Sequence, residues 1–451
     1  MNSSLARTAL DDLRAAAVRL TGAPSDFDAL LRRVEGCRFV LIGEASHGTH
    51  EFYRIRAELT KRLIREQGFS AVAIEGDWPH AYRVNRFVRG DPSIGDAEEA
   101  LADFARFPQW MWRNADVLDF VGWLRAFNDA RPARRVGFYG LDLYSLHASI
   151  EAVVAYLRTV DPAAALRALR RYDCFTRYGS DPQHYGYATL VDSEASCESE
   201  VVRQLVELRA KASEYAALDD RIAAEQLFHA EQNARVVVQA ERYYRVMYHG
   251  GAASWNLRDT HMAETLEQLV AHLDRHRPGI EPSRVVVWAH NSHLGDASAT
   301  EASARGETNL GHLVRKAHGR DALLVGFTTY EGSVTAASDW GAPAQRMRVR
   351  PALPESYEAL FHAMGIDRFA LDLREHAAVR AALGSPRLER FIGVIYRPET
   401  ERMSHYYHAR LSDQFDVVFH HDRTRAVEPL ERTPTWQLDA DELPETYPSA
   451  L

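Results

Sequence analysis

The sequence predicts an α/β fold with parallel strands and a helical insertion. Short apolar runs typical of buried strands alternate with helical patterns, and several of the runs end in a polar cluster. The first run, 37–42, leads into such a cluster; a helical pattern over 51–67 stops at Gly68, and the next run, 69–74, follows at once. This succession is typical of a βαβ unit, in which two parallel strands end at the same edge of the sheet.

Further strands are predicted along the rest of the chain. The run 135–142 ends in a carboxylate, and the runs 285–289 and 322–327 have the same apolar character. Three late strands are predicted at 369–373, 391–396 and 415–420. Such runs, bounded by turn residues, are typical of the buried strands of α/β proteins.

Residues from about 145 to 250 are rich in Ala, Glu, Arg and Leu and show no convincing strand pattern. Apolar side chains recur at helical spacing over 201–215 and over about 220–247, and we expect these helices to pair as an antiparallel hairpin. We interpret the region as an insertion that serves either as scaffold or as a cap over a substrate. The predicted organisation is a first part of the α/β catalytic domain (1–144), a helical insertion (145–255) and a second part of the α/β domain (256–451).

Composition excludes several classes of function. Hydrophobic residues make up 46% and charged residues 26% of the 451 residues, which is ordinary for a globular protein. The net charge of −9 argues against a nucleic-acid partner, because phosphate binding needs clustered Lys and Arg. No run approaches the ~18 apolar residues of a membrane span, and the N-terminus lacks the apolar core of a signal peptide. We therefore expect a soluble, cytoplasmic protein with a small-molecule partner and no membrane partner, of unknown oligomeric state.

The three cysteines define no site. Cys37, Cys174 and Cys197 lie far apart and form no CxxC pair, so neither a disulfide framework nor a thiolate zinc site is inferred. None of them follows a strand end beside an imidazole, so a thiol nucleophile is not indicated.

Polar side chains follow four of the predicted strands. They are Glu44 and His47 after the first strand, Glu75 after the second, Asp142 after the third, and His290 and His293 after the strand at 285–289. One such ending is ordinary, but ligands of α/β proteins bind just beyond the carboxyl ends of parallel strands. Carboxylates together with imidazoles suit general acid–base chemistry on a water molecule. The pattern therefore predicts a catalytic cleft.

Ser46 is a candidate for substrate binding and not for nucleophilic attack. A nucleophile elbow needs Gly-x-Ser-x-Gly, and Glu44 stands at the first Gly position. Large aromatic residues beside a cleft can form a substrate wall, although core packing is the commoner use of Trp. The substrate-binding candidates are Ser46, Trp78, Trp110, Asp142 and Arg258.

No cofactor is required by the sequence, and a divalent metal is possible. No Walker loop and no GxGxxG after a strand is present, so a nucleotide is not indicated. The candidate metal ligands are His47, Glu75, His290 and His293. Neither HxxH segment has the HExxH helical pattern. In the metal-free alternative His47 is the base, held in one tautomer by Glu44 or Glu75, and other imidazoles stabilise an oxyanion.

Several separated motifs, in order, resemble the erythromycin esterase family. They are Gly43–His47, Arg56, Ile74–Gly76, Gly140–Asp142, Arg258–Ala263, Ala289–His293 and Ser404–Tyr407. The resemblance spans roughly residues 37 to 430. It implies a three-layer α/β fold with a mixed, largely parallel central sheet and a helical insertion.

The resemblance also implies an activity, because known members open macrolide antibiotics by hydrolysing the lactone ester, some with a metal and others without. It places the catalytic base at His47 and the other catalytic residues at Glu44, Arg56, Glu75, His290 and His293. We therefore expect a carboxylic-ester hydrolase that opens a macrolide or other lactone by activating water. The alternatives are a metal-dependent hydrolase of another small-molecule bond and a non-enzymatic haem- or metal-binding protein of similar fold.

Overall fold

A computed structural model of the chain describes residues 3–216, 221–276 and 282–437. The strands are β1 (Val18–Arg19), β2 (Phe39–Ile42), β3 (Ala71–Asp77), β4 (Gly137–Asp142), β5 (Val285–Trp288), β6 (Ala322–Ala336), β7 (Gln345–Val349), β8 (Arg368–Asp372), β9 (Arg387–Arg390), β10 (Tyr406–Ala409) and β11 (Val417–Thr424).

The α-helices of one turn or more surround these strands in the described part of the chain. They are α1 (Ser3–Ala16), α2 (Asp28–Arg33), α3 (His50–Gln67), α4 (Trp78–Val88), α5 (Ala97–Ala100), α6 (Ala115–Asp129), α7 (Leu146–Val160), α8 (Pro162–Tyr172), α9 (Pro182–Val191), α10 (Glu198–Ala210), α11 (Ala212–Ala216), α12 (Arg221–Val246), α13 (Ala253–Arg275), α14 (Asn291–Leu294), α15 (Leu310–His318), α16 (Tyr357–His362), α17 (Ala377–Leu383), α18 (Glu401–Ser404), α19 (Leu411–Gln414) and α20 (Pro434–Gln437).

The central sheet is mixed and largely parallel, as the resemblance implies. Its order is β1-β8-β11-β6-β2-β5-β3-β4, and β7 pairs with the far end of β6. The run from β11 to β4 is parallel throughout, whereas β8 and β7 are antiparallel to their neighbours. The strands β2 and β3 are parallel, as predicted, but β5 lies between them. The ends of β2 and β3 therefore lie at the same edge of the sheet, with the end of β5 between them.

The buried strands alternate their side chains between two hydrophobic clusters, one on each face of the sheet. In β2, Val40 and Ile42 point to the cluster that includes helices α3 and α6, while Phe39 and Leu41 point to the one that includes α13. A strand buried on both faces is apolar without interruption, which is the reason that its sequence lacks a polar alternation. Helices on both faces make the architecture three-layered.

The helices between β4 and β5 have a hydrophobic cluster of their own. It is formed by apolar side chains from α7 to α12, and α12 packs mainly along α7 and also along α10. Cys174 and Cys197 are paired in a disulfide within this region, which the cysteine spacing did not indicate. No helix in the described ranges is long and apolar enough to cross a membrane.

Two of the three predicted late strands are present as β8 and β11, and the third is not. The segment 391–396 is not a strand; it is a loop held by single bridges from Ile392 to Ser46 and from Ile395 to Ala337. The strand before it, β9, pairs with β10 in a separate two-stranded ladder. The 15-residue β6 extends well beyond the predicted 322–327, because its second half leaves the sheet to pair with β7.

Candidate active site

Four neighbouring strands, β2, β5, β3 and β4, deliver the polar side chains to one edge of the sheet. The loop after β2 is fixed tightly: the Gly48 carbonyl accepts the N–H groups of Thr335 at 2.9 Å and Val427 at 2.8 Å. A Cβ atom at Gly48 would collide with the Thr335 carbonyl oxygen, so this close approach requires glycine. The backbone of His47 is held as well, since its N–H donates to the Ile392 carbonyl at 3.2 Å.

His47 is held by a carboxylate on one side of its ring. Its Nδ1 lies 2.9 Å from Glu44 Oε1, and Arg56 Nη2 lies 3.0 Å from the other Glu44 oxygen. The Arg56 guanidinium is fully buried and lies over the rings of Tyr53 and Trp288. Because Glu44 accepts from Nδ1–H, the unprotonated nitrogen of a neutral His47 is Nε2.

Glu75 is the centre of the site. Its Oε1 lies 2.7 Å from Arg258 Nη2, 3.3 Å from His293 Nε2 and 4.0 Å from His47 Nε2. Its other oxygen accepts the backbone N–H of His290 at 2.9 Å. Burial favours the neutral acid, but the charges of His293 and Arg258 outweigh it and hold the pKa of Glu75 well below its usual range. Glu75 is therefore ionised at neutral pH.

Arg258 joins the ends of β3 and β4. Its Nε and Nη2 donate to the two carboxylate oxygens of Asp142 at 3.0 and 2.6 Å, a bidentate pair that fixes the guanidinium plane. The guanidinium also lies 4.9 Å from the ring centre of Tyr144. Burial raises the pKa of Asp142, but Arg258 more than reverses this, so the carboxylate stays charged.

His293 forms a second imidazole–carboxylate pair. Its Nδ1 lies 2.9 Å from Asp259 Oδ1, and the ring stacks on Trp255 with centres 4.5 Å apart. Burial lowers the pKa of His293, but Asp259 and Glu75 outweigh it and raise the pKa to about 9.

Two contacts bear on the charge of this pair. Arg258 Nη1 lies 2.9 Å from His293 Nε2 and can donate to it only when the ring is neutral, so this contact opposes protonation. Burial also raises the pKa of Asp259, yet that carboxylate accepts the Leu310 N–H at 2.8 Å in addition to Nδ1–H. With two carboxylates against one guanidinium, His293 is cationic at neutral pH.

His290 is neutral. Burial and the neighbouring His47 lower the pKa of its imidazole well below the ordinary value. Its Nε2 lies 3.2 Å from the Ile392 carbonyl and therefore carries the proton, while Nδ1 accepts from the Ser292 hydroxyl at 2.8 Å. The rings of His290 and His47 are 4.7 Å apart, so the three imidazoles of the site form one cluster.

These groups open onto a cavity of about 890 Å³. His47, Glu75, Asp142, Arg258, His290 and His293 all line it. Aromatic side chains form much of the remaining wall, among them Phe107, Trp112, Trp255, Trp340, Phe391 and Tyr407. Residues of the helical region reach the cavity too, among them Tyr243 and Met247. A cavity of this size can enclose most of a drug-sized molecule.

Comparison with known proteins places the chain in a family. The family model described as erythromycin esterase matches residues 64–424, which is most of the chain. The chain belongs to the erythromycin esterase family. Membership supports a hydrolase acting on a small molecule.

Individual relatives of this family member are distant. Erythromycin esterase type II of Escherichia coli is 24% identical over 327 residues, which cover 69% of this chain and 73% of that protein. A Bacillus cereus protein of known structure superposes with a TM-score of 0.78 at 19% identity, covering 94% of this chain and 99% of the other. A succinoglycan biosynthesis protein gives 0.76 at 20%, covering 95% and 100%. A variant of the erythromycin esterase EreC in its open conformation gives 0.64 at 17%, covering 89% and 94%. At these identities the structures show the shared fold.

Two predicted substrate-binding residues, Trp78 and Trp110, lie away from the cavity. Trp78 is buried among Tyr139 and Phe228 and donates to His229, so it is a core residue. Trp110 is buried in the core, whereas Trp112, two residues on, lines the cavity. Both differences have the same cause. At the start of a helix or in a loop, tertiary packing decides which way a side chain points, and nearness to a strand end in the sequence does not.

Ser46 and Arg56 are also placed differently from the prediction. The Ser46 hydroxyl is buried and hydrogen-bonded to Thr49, and it does not line the cavity. Arg56 is buried behind Glu44, so it positions a carboxylate and does not face a substrate. Sequence reasoning missed Asp259 and Trp255, although Asp259 stands inside the Arg258–Ala263 motif. The one available signal for Asp259 was its place beside Arg258.

The residues do not fit a divalent metal. In the ranges that the structure describes, no three His, Cys, Asp or Glu side chains are grouped so as to hold a metal ion. The candidate ligands are engaged otherwise: His290 Nε2 faces a carbonyl oxygen, and Glu75 Oε1 has a guanidinium nitrogen at 2.7 Å. The Arg258 guanidinium already occupies the position that Glu75 would offer to a metal, so the proposed mechanism uses no metal ion.

Proposed function

We propose that this protein hydrolyses a carboxylic ester, a lactone of macrolide type, by general-base activation of water. The observation that carries the proposal is the position of His47 Nε2. It faces the cavity 4.0 Å from Glu75 Oε1, while Nδ1 is held by Glu44. A gap of that length between two acceptors is bridged by one water molecule, which donates one hydrogen to each.

In the first step His47 takes a proton from this water. The water oxygen forms a bond to the ester carbon, and its proton moves to Nε2. The resulting imidazolium is stabilised by Glu44 at 2.9 Å, and Glu75 keeps the water oriented through its second hydrogen. A positioned base of this kind accelerates hydrolysis roughly 10²–10⁴-fold.

The tetrahedral intermediate carries a negative charge, and His293 is the cation that stabilises it. The imidazolium lines the cavity beside Glu75, and its stacking on Trp255 holds the ring plane. His290 also lines the cavity, but its Nε2–H donates to the Ile392 carbonyl, so the charge on the intermediate is assigned to His293. Preorganised donors in a buried site stabilise such a charge without reorganisation.

Collapse of the intermediate breaks the bond to the ester oxygen. The proton on His47 Nε2 passes to the departing alkoxide, so the products are the carboxylic acid and the alcohol of one opened ring and His47 returns to its neutral form. The carboxylic acid then releases its proton to solvent and becomes the carboxylate. The proposed sequence forms no acyl-enzyme: the Ser46 hydroxyl lies outside the cavity lining, the free thiol of Cys37 is buried elsewhere, and the proposal leaves the cavity-lining Ser292 hydroxyl as a hydrogen-bond donor to His290 Nδ1.

The cavity supports a large, mostly apolar substrate. Its volume of about 890 Å³ and its largely aromatic wall fit a macrocyclic lactone better than a small acetate ester. The relative in Escherichia coli is an erythromycin esterase, which agrees with this size. The family alone would allow another lactone, so a panel of substrates is the appropriate test.

The test is incubation of the purified protein with macrolides, other lactones and linear esters, followed by mass spectrometry for a gain of one water. We expect the gain with a macrolactone, with no loss on treatment with chelator. Intact-protein mass spectra during turnover should show no acyl adduct. An acyl adduct would replace activated water by covalent catalysis, and a Soret band on adding haem, with no hydrolysis across the panel, would favour the haem-binding alternative.

A further inference from the structure

A second cavity, of about 800 Å³, shares no lining residue with the first. It lies between the outer face of helix α3, the segment 20–27 and the edge where β8 begins and β11 ends. Its apolar surface comes from Leu20, Phe27 and Ile55. Most of the other lining residues are charged, so charge determines which ligands fit this cavity.

Most carboxylates of the second cavity already have partners. The pairs are Glu51 with Arg425, Glu58 with Lys61, Glu331 with Arg423 and Asp422 with His362, and Asp26 accepts the N–H groups of Thr21 and Gly22. Among the residues that the structure describes, Asp367 is the one lining carboxylate without a hydrogen bond or ion pair of its side chain.

The lining guanidinium groups are not matched in the same way. Within the described ranges, Arg54, Arg65 and Arg368 have no carboxylate partner, and Arg65 lies instead over the ring of Trp123 at 4.9 Å. The lining holds seven Arg and Lys side chains against six Asp and Glu side chains, a small positive excess on a chain whose net charge is −9. Such a surface attracts an anion.

His421 adds a buried group next to one of these cations. It is the direct partner of Arg368 in the antiparallel ladder of β11 and β8, so the two side chains stand on the same face of the sheet. His421 is only 8% exposed, it lines the cavity, and its Nε2 has no hydrogen-bond partner in the described part of the chain. His421 Nε2 is thus an unmatched buried ring nitrogen beside an unmatched guanidinium, where a bound polar group would complete the hydrogen bonding.

We propose that the second cavity binds a small organic anion, with a carboxylate or phosphate head on Arg368, Arg54 and His421 and an apolar body against Leu20, Phe27 and Ile55. Guanidinium groups recognise either head, because both present paired oxygens to its fork of N–H donors. The proposal is independent of ester hydrolysis at the first cavity. It adds a binding site on the helix whose first residue, His50, follows His47 by three positions.

The test is titration calorimetry of the wild-type protein with four probes. Phenyl phosphate and benzoate carry head and body, inorganic phosphate carries the head alone, and benzyl alcohol the body alone. We expect binding of phenyl phosphate, of benzoate or of both, weaker binding of inorganic phosphate and none of benzyl alcohol. The tighter of the two aromatic anions identifies the head.

Substitutions place the binding in this cavity. Arg368→Gln and Arg54→Gln should each weaken the aromatic anion about tenfold or more, since each removes a charge-assisted hydrogen bond. Arg65→Gln is the matched control, because Arg65 also lines the cavity but lies over Trp123; it should change the affinity less than twofold. His47→Gln should leave binding unchanged, which separates this site from the first cavity.

A spectroscopic measurement reports on His421 directly. Burial, His420 and Arg368 lower the pKa of His421 to about 3 in the free protein. A bound anion should raise that pKa, seen by NMR of the ring, in the wild type and not in Arg368→Gln. The proposal is overturned if neither aromatic anion binds, or if both bind equally well to Arg368→Gln and Arg54→Gln.

Discussion

Two imidazole–carboxylate pairs flank Glu75, and they differ in what lies behind the carboxylate. Glu44, which holds His47, shares its charge with the buried guanidinium of Arg56 at 3.0 Å. Asp259, which holds His293, forms its one ion pair in the described ranges with that imidazole, and otherwise accepts an N–H. Both imidazoles direct Nε2 to the same Glu75 oxygen, at 4.0 and 3.3 Å.

This difference explains how an imidazole–carboxylate pair can serve two roles. A carboxylate shared with a cation orients its imidazole but gives it less negative charge, whereas an unshared carboxylate keeps its imidazole protonated. In the proposed mechanism His47 is the base and His293 is the cation. The presence of a guanidinium behind Glu44, and its absence behind Asp259 in the described ranges, therefore distinguishes the roles of the two imidazoles. Substitutions in each pair test this assignment.

The largest effect is expected for His47→Gln. The change removes the base, so kcat/KM should fall roughly 10²–10⁴-fold with little change in the melting temperature. Steady-state kinetics on the macrolactone identified by the substrate panel measure the loss. Undiminished turnover would show that the two pairs have been assigned the wrong way round.

Loss of the cation is the next test. His293→Gln keeps a donor near the oxyanion but removes the charge, and kcat should fall roughly 10²–10³-fold. Because the pKa of His293 is raised to about 9, the imidazolium is present below that pH and lost above it. The wild-type rate should therefore fall as pH rises through about 9. In the variant this limb should be absent; a limb that persists would belong to another group.

The cation behind Glu44 is tested by Arg56→Met. The change removes the cation beside the buried Glu44 carboxylate, which keeps, among the described residues, only its hydrogen bond with His47, and the free energy of unfolding should fall by about 3–5 kcal/mol. Chemical denaturation measures it, and the double variant Glu44→Gln, Arg56→Met should recover part of the loss. If Arg56 acted on the substrate instead, kcat would fall about 10²–10³-fold with stability unchanged.

Asp259→Asn weakens the other pair without removing its imidazole. Without the carboxylate that raises the pKa of His293, the falling limb of the pH profile should move from about 9 to lower pH. At pH 8.5 we expect about a tenfold loss of kcat/KM, and a smaller one at pH 6. The matched control is Asp116→Asn, which breaks the His50–Asp116 pair outside the first cavity and should leave the profile in place.

The smallest effects distinguish wall from core. Trp112 lines the cavity and Trp110 does not, so Trp112→Phe should raise KM a few-fold while Trp110→Phe leaves KM unchanged. Steady-state kinetics on the large lactone make the comparison, and a short linear ester serves as the control for both variants. An equal change of KM in the two variants would contradict the assignment of the wall.

The edge of the sheet could be predicted because it depends on local pattern. Glu44, Glu75 and His290 each follow a run of apolar residues long enough for one buried strand, and parallel strands must end together. The prediction of a strand at 391–396 is wrong because an apolar run can also be buried by other parts of the chain. Its apolar residues are buried by the loop after β2 and by β6, and not by strand neighbours.

The sequence by itself determined the fold class, the family and the set of side chains that meet at the sheet edge, because strand length, polarity and motif order are local properties. Tertiary structure decided the rest: that Arg56 is buried behind Glu44, that Asp259 holds His293, and that Trp112 and not Trp110 faces the cavity. The role of an ionisable group depends on charges and burial contributed by distant segments. Those contributions exist only once the chain has folded.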